Sequence, residues 1–214
     1  VFRMDAKAQG DLVVIGGLRV RGNGNPRDAE WFSVTLTKAT APWAFARGDP
    51  FRTIAALELM GTLVSLVVLV PNEPRRCDAS ALISLTCSTD NQGNSFLLDR
   101  MLTTRYPLGV VLMELAHQMK LRRMVLRARW LPRDENQEAD DLTNYEYRHF
   151  DRAKRIPVDI SKLGFDLMGS LFQHGDDYLA DLERERESEK RKAASRGSRR
   201  ETKRKPLRES DPWH

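Results

Sequence analysis

Thr53 to Val70 is a run of eighteen residues with one charge, Glu58. Asp49-Pro50 just before it supplies an N-cap side chain and a proline suited to the first helical turn. A helix is therefore expected from Pro50 to Val70. A helix that is apolar on every side is stable only when other elements cover it. Crossing a bilayer takes about 20 mainly apolar residues and penalises a carboxylate, so burial in a soluble core is expected rather than a membrane span. Within this stretch Glu58 has no basic neighbour, and a buried carboxylate is costly unless it is paired or bound to a metal. The plain alternative places Glu58 on an exposed stripe of the helix.

Strand patterns flank this helix. Val1–Asp5 reads as a first strand and Leu12–Arg21 as a second, with Gly16-Gly17 in its middle marking a bulge or a close backbone approach. After the loop Gly22–Arg27, the segment Glu30–Thr37 alternates Phe32, Val34 and Leu36 with Trp31, Ser33 and Thr35, as a strand packed on one side does. Beyond the helix, Leu82–Cys87 has the β-propensity of a buried strand and ends in Asp90-Asn91-Gln92-Gly93, which is turn chemistry leading to Phe96, Leu97 and Met101 in helical spacing. Pro107 opens a helix with Val110, Val111, Met113, Leu115, Ala116 and Met119 as its apolar positions. Met124–Trp130 alternates as a fifth strand, and Asn136 to Tyr147 suits a last helix carrying Glu138, Asp140 and Asp141. The expected fold is α/β: a five-stranded mixed sheet, three antiparallel strands and then two added by helical crossovers, with flanking helices.

The 214 residues suffice for one ordinary domain, expected over 1–150, with a helical extension over 151–192 built around Leu163, Leu167, Leu171 and Phe172 and an acidic-basic stretch from Asp176. A basic, disordered tail is expected over 193–214. Lys and Arg total 35 against 30 Asp and Glu, and the surplus is concentrated between Lys190 and Arg208, where Glu201 is the one acidic residue. Cys77 and Cys87 form neither a disulfide framework nor a zinc spacing, which suits a reducing compartment. With no signal-peptide pattern, the expected location is intracellular, cytoplasmic or nuclear. The chain begins at Val1 and reads as a piece of something longer.

Four carboxylates stand out by position: Asp5 in the first strand, Glu58 in the apolar helix, Asp90 after the fourth strand and Asp140 in the last helix. The motifs around them are MDAKAQGD (Met4–Asp11), IAALELMGTL (Ile54–Leu63), STDNQGN (Ser88–Asn94) and WLPRDENQEADDLTN (Trp130–Asn144). In this order and on these elements they resemble the ribonuclease H domains, most closely those of retroelement reverse transcriptases. The resemblance covers Val1 to Tyr147. It implies hydrolysis of the RNA strand of an RNA/DNA hybrid, with Asp5, Glu58, Asp90 and Asp140 holding two Mg²⁺ or Mn²⁺ ions. Oxygen-only ligands suit those ions over zinc, and converging carboxylates repel one another, which favours partial protonation until ions bind.

Periodicity does not separate Asp140 from Asp141 as the fourth ligand. The Asn-x-x-Ala-Asp pattern of the family, counted from Asn136, selects Asp140. Asn91 and Asn136 are further candidates for nucleic-acid contact, and Lys120, Arg122, Arg123, Arg127 and Arg129 form the densest basic group of the folded part, suited to phosphates or to plain solvation. Two departures are visible. The loop Leu131–Glu135 lacks the His that many members carry, and Lys7 follows Asp5-Ala6 where it can pair with the carboxylates. Glu114 and His117 read as an ordinary helical pair. The alternative to a nuclease is a catalytically inactive scaffold or nucleic-acid-binding module of the same fold.

Overall fold

The computed structural model describes residues 1–20, 24–45, 48–70, 82–103 and 105–169, and then 180, 184–185 and 187–191. The chain divides into two units, Val1–Asp176 and Asp177–His214. The first unit holds strands β1 (Phe2–Gln9), β2 (Leu12–Arg19) and β3 (Glu30–Leu36), then helices α1 (Pro42–Phe45) and α2 (Ile54–Leu69). Strand β4 (Ile83–Thr89), helices α3 (Gln92–Arg100) and α4 (Leu108–Leu121), strand β5 (Met124–Trp130) and helix α5 (Gln137–Thr143) follow. The sheet order is β3-β2-β1-β4-β5. β1, β2 and β3 pair antiparallel, and β4 and β5 add in parallel, as expected.

Helix α2 is the centre of the core. Its entry follows the Asp49-Pro50 signal: the Asp49 side chain accepts from Phe51 N at 3.0 Å, and a 3-10 turn, Pro50–Thr53, leads into the helix. Eleven of its residues are buried, on all sides, because β1 and β2 lie against one flank and α4 against another. It is the one helix among the described residues, counted from Pro50, long and apolar enough to cross a membrane, and most of it is buried inside the protein. The two glycines of β2 are explained by the layers on either face. A Cβ at Gly16 would lie 2.6 Å from Leu142 Cβ of α5, and one at Gly17 would lie 2.5 Å from Ser65 Oγ of α2. The close approach expected there is present, and the bulge is not, since the β1–β2 register runs one to one from Phe2↔Arg19 to Gln9↔Leu12.

Several local expectations are corrected. β1 continues past Asp5 to Gln9, which puts Asp5 mid-strand. β2 stops at Arg19, and β4 runs on to Thr89. β3 is not packed on one side only: Trp31, expected outward, is fully buried among Leu18, Leu142 and Phe150, because α5 covers that second face. The last helix is shorter than 136–147, beginning with a 3-10 turn at Arg133–Asn136 and ending at Thr143. On α3, Leu97 and Leu98 are buried while Phe96 is exposed.

On α4 the buried stripe is Val111, Leu112, Glu114, Leu115 and Gln118, whereas Met113 and Ala116 face solvent. Counting apolar residues missed this face because two of its members are polar. Gln118 Nε2 donates to Glu114 Oε1 at 2.8 Å, and Glu114 Oε2 accepts from Leu167 N at 2.6 Å and Met168 N at 3.2 Å. His117 meets Asp166 Oδ2 at 2.8 Å. Glu114 and His117 are thus not a pair with each other, and each holds the segment that follows the last helix. Ile160, Phe165 and Met168 are buried in the main core, so there is no break in packing at residue 150. The expected helix through Leu163 and Leu167 is a 3-10 turn, Ile160–Lys162, with helical residues resuming at 168, and Leu171 and Phe172 lie outside the described residues. The second unit is described at eight exposed helical residues, where Arg191 pairs with Glu187 at 3.7 Å. Nothing after residue 191 is among the described residues.

Candidate active site

Parallel strands β1 and β4 pair only at Phe2↔Cys87 and Arg3↔Ser88 and then part. Asp5 lies on β1 two residues past the split, and Asp90 follows the last residue of β4. A crevice outside the carboxyl ends of parallel strands is a common place for ligands in α/β sheets. Here it is a cleft of about 390 Å³ whose walls include Asp5, Glu58, Asp90 and Asp140 together with Lys7, Arg133 and Asn144. Four elements therefore bring four carboxylates to one space. They share its walls without closing on one point: among the described residues, no three His, Cys, Asp or Glu side chains form a ready metal cage.

Three of the carboxylates are held by side-chain donors. Thr143 Oγ1 donates to Asp5 Oδ2 at 3.1 Å. Burial, with the negative charge of Asp90 second, pushes the Asp5 carboxyl up to about 6. Glu58 is half-buried, and Asn94 Nδ2 donates to its Oε2 at 3.2 Å while also binding Ala55 O at 2.9 Å. Burial raises Glu58 to about 7, with hydrogen bonding from Asn91 working against it and the charges of Asp90 and Asp5 adding to it. Asp140 accepts from Asn144 Nδ2 at 2.8 Å and from Arg133 Nη2 at 3.3 Å. Trp130 Nε1 donates to the Asp90 carbonyl at 3.0 Å, which fixes the backbone on which that carboxylate stands.

The neighbouring Asp141 is not in the cleft wall and accepts instead from Gln137 Nε2 at 2.9 Å. Lys7 does not pair with the carboxylates; its Nζ donates to Asn144 Oδ1 at 2.6 Å, so it orients the amide that holds Asp140. Asn91 caps α3, its Oδ1 accepting from Asn94 N at 3.0 Å, and serves Glu58 rather than standing free for a phosphate. Asn136 is buried and donates from Nδ2 to Met4 O at 3.2 Å, so it ties the last loop to β1 and does not present itself to a ligand.

The basic group expected to meet phosphates does not converge on the cleft. Lys120, Arg122 and Arg123 lie at the end of α4 and the turn into β5, about 20 Å from the cleft end of that strand at ~3.3 Å per residue. Arg122 is occupied by the Gln118 side chain. Arg127 and Arg129 are exposed on the face of β5 that carries Ser84 and Ser88 of β4, Arg127 Nε donating to Ser84 Oγ at 3.1 Å, and only Arg129 adjoins the cleft end.

Sequence reasoning had not singled out Thr143, Asn94, Asn144 and Arg133. Thr143 and Asn144 stand three and four positions after Asp140, a spacing that puts them on its helical face, so a signal existed. Arg133 had none beyond its charge.

The five-stranded order, the crossovers and the flanking helices together decide the architecture. The fold is that of ribonuclease H. LC11 ribonuclease H1, solved in complex with an RNA/DNA hybrid, is similar at a TM-score of 0.50 and 17% sequence identity, over 67% of this chain and 93% of that one. Ribonuclease H1 from the halophilic archaeon Halobacterium salinarum NRC-1 matches at a TM-score of 0.47 and 15% identity, over 68% of this chain and 94% of that one. No protein-family model and no curated protein matches the chain. Within the ribonuclease H fold, the carboxylate cleft lies where β1 and β4 separate.

The donors fit divalent ions that prefer oxygen. All four are carboxylates, no sulfur or imidazole lines the cleft, and burial first and the charges of neighbouring acids second raise Asp5 and Glu58, as expected of acids gathered in a partly buried cleft.

Proposed function

We propose that the chain is a metal-dependent endonuclease that hydrolyses the RNA strand of RNA/DNA hybrids. The observation that carries this reading is the convergence of Asp5, Glu58, Asp90 and Asp140, from four separate elements, on one cleft. They would hold two Mg²⁺ or Mn²⁺ ions. When bound, such ions supply charge stabilisation for in-line phosphodiester hydrolysis. The chain's own groups do the positioning. Thr143 orients Asp5, Asn94 and Asn91 orient Glu58, and Asn144, itself held by Lys7, orients Asp140. Arg133, an exposed cation beside Asp140, would meet a phosphate at the cleft mouth.

The hybrid as substrate, a retroelement reverse-transcriptase context, further polyprotein domains as partners, and an intracellular location in cytoplasm or nucleus all belong to this proposal. The context rests on the four sequence motifs alone, and the location on the cysteine usage. The test is incubation of the purified chain with labelled RNA/DNA hybrid, duplex DNA and duplex RNA, with Mg²⁺, Mn²⁺, Zn²⁺ or excess chelator. Cleavage of the hybrid's RNA with Mg²⁺ or Mn²⁺ is expected. Equal cleavage of duplex DNA, or activity in chelator, overturns the reading. Hybrid binding without any cleavage replaces it with the inactive-module alternative.

A further inference from the structure

Directly after α5 the chain turns at Tyr145, a non-glycine residue with φ of 62°, and builds an aromatic stack on the outer edge of β3. The Tyr147 ring lies 4.9 Å from Trp31 and meets Tyr145 edge-on at 6.4 Å. The Arg155 guanidinium sits 5.3 Å over Trp31 and 5.4 Å over Tyr147. The Tyr147 hydroxyl donates to Ser33 Oγ at 3.1 Å, and the Tyr145 hydroxyl is hydrogen-bonded to Thr35 Oγ1 at 2.9 Å. The stack is therefore anchored to the sheet, yet Tyr145 stays 46% exposed.

In front of it is an open groove of about 840 Å³ rimmed by Arg27, Arg148, Arg152 and Lys154. Two of these cations are engaged: Lys154 with Asp28 at 3.2 Å and Arg148 with Glu146 at 2.9 Å. The other two, Arg27 and Arg152, are exposed, and their side chains make no hydrogen bond or ion pair with the described residues. The second acid of the groove, Asp151, is used locally, its Oδ1 accepting from Ala153 N at 2.9 Å.

An anchored aromatic beside unengaged guanidinium groups is the pairing that single-stranded nucleic acid uses, bases stacking on the ring and phosphates meeting the cations. We propose that this groove is a second nucleic-acid site, which binds a single-stranded segment with a base on Tyr145 and phosphates on Arg27 and Arg152. An acidic peptide fits less well, since it has no use for the aromatic face and meets Asp28. The groove adjoins the carboxylate cleft through the chain, because Asn144 lines one and Tyr145 the other. A strand running from cleft to groove rests on the nuclease reading above; affinity of the groove for a single strand does not.

The test uses the full chain in chelator, so that neither metal nor cleavage enters. A short oligouridylate carrying 4-thiouridine is bound, photocrosslinked and mapped by peptide mass spectrometry, and its affinity is measured by fluorescence anisotropy. Crosslinks are expected in the peptides around Tyr145 to Arg152. Affinity should fall about tenfold in the double variant Arg27→Ser, Arg152→Ser and about tenfold in Tyr145→Ala, but not in Tyr145→Phe. Arg27 and Arg152 are exposed and their side chains pair with none of the described residues, so the double variant keeps the proposal testable should Tyr145→Ala not fold. Crosslinks confined to the basic stretch Lys190–Arg208, with affinity unchanged in the double variant, overturn the proposal. So does displacement of the oligonucleotide by polyglutamate that depends on Arg27 and Arg152 but is indifferent to Tyr145. Failure here leaves cleavage of hybrids untouched, and failure of the cleavage assay leaves this binding measurable.

Discussion

Replacing Glu58 by Gln separates stability from activity. Burial and the charges of Asp90 and Asp5 hold the Glu58 carboxyl at about 7, against 4.5 for an ordinary glutamate. At about 1.4 kcal/mol per pH unit, keeping it ionised in the metal-free fold costs about 3 kcal/mol. The sign follows from proton uptake. Between about 4.5 and 7 the folded state binds the proton more tightly than the unfolded chain, so this contribution is fully present below 4.5 and is lost as pH rises through 7. Glu58→Gln keeps an acceptor for Asn94 and removes the charge. At pH 8 in chelator the variant should melt about 6 to 12 °C higher than the parent, the equivalent of about 3 kcal/mol for a domain of this size. At pH 4.5 the two should nearly coincide. In the hybrid cleavage assay the same variant should lose about two to three orders of magnitude in turnover. Calorimetry across the pH range checks the first part. A melting temperature at pH 8 equal to or below that of the parent would refute the reasoning and make Glu58 the structural partner of a donor.

Asp140→Asn should reduce turnover by about two to three orders of magnitude at saturating Mg²⁺ while Asp141→Asn changes it little, since Asp140 lines the cleft and Asp141 bonds Gln137; the opposite ranking in steady-state kinetics would show that Asp141 is the ligand. Gly16→Ala should destabilise by about 1–3 kcal/mol, read from urea unfolding, because its Cβ would lie 2.6 Å from Leu142 Cβ and push α5, with Asp140 and Thr143, off the sheet. Cleavage should fall with it, and an unaffected variant would mean that α5 is free to shift. Glu114→Ala should leave the amides of Leu167 and Met168 without their acceptor, costing about 1–3 kcal/mol and exposing the chain near residue 167 to limited proteolysis; an unchanged digestion pattern would count against the clasp.

The order of elements was readable from the chain because each has a local cause. Asp49-Pro50 starts the central helix, eighteen nearly chargeless residues oblige it to be buried, and alternation marks the strands of the sheet. The four carboxylates were also visible in the sequence, since Glu58 in an apolar helix and Asp90 at a strand end break the local pattern. What the chain alone did not decide is who stands beside whom. Trp31 looks like an outward residue until α5 covers the second face of the sheet, and Met113 looks like core until Glu114, which accepts from the amides of residues 167 and 168, and Gln118, which donates to Glu114, take the buried stripe. Lys7, free by sequence to pair with the acids, is drawn to Asn144 instead. Asn136 is turned inward to Met4, and the basic residues 120–129 are strung out from the end of α4 along β5. Periodicity reports which side of an element is apolar. The partners of Glu58, Glu114 and Asp5 come from 36, 53 and 138 positions away, and only the packed tertiary structure supplies them.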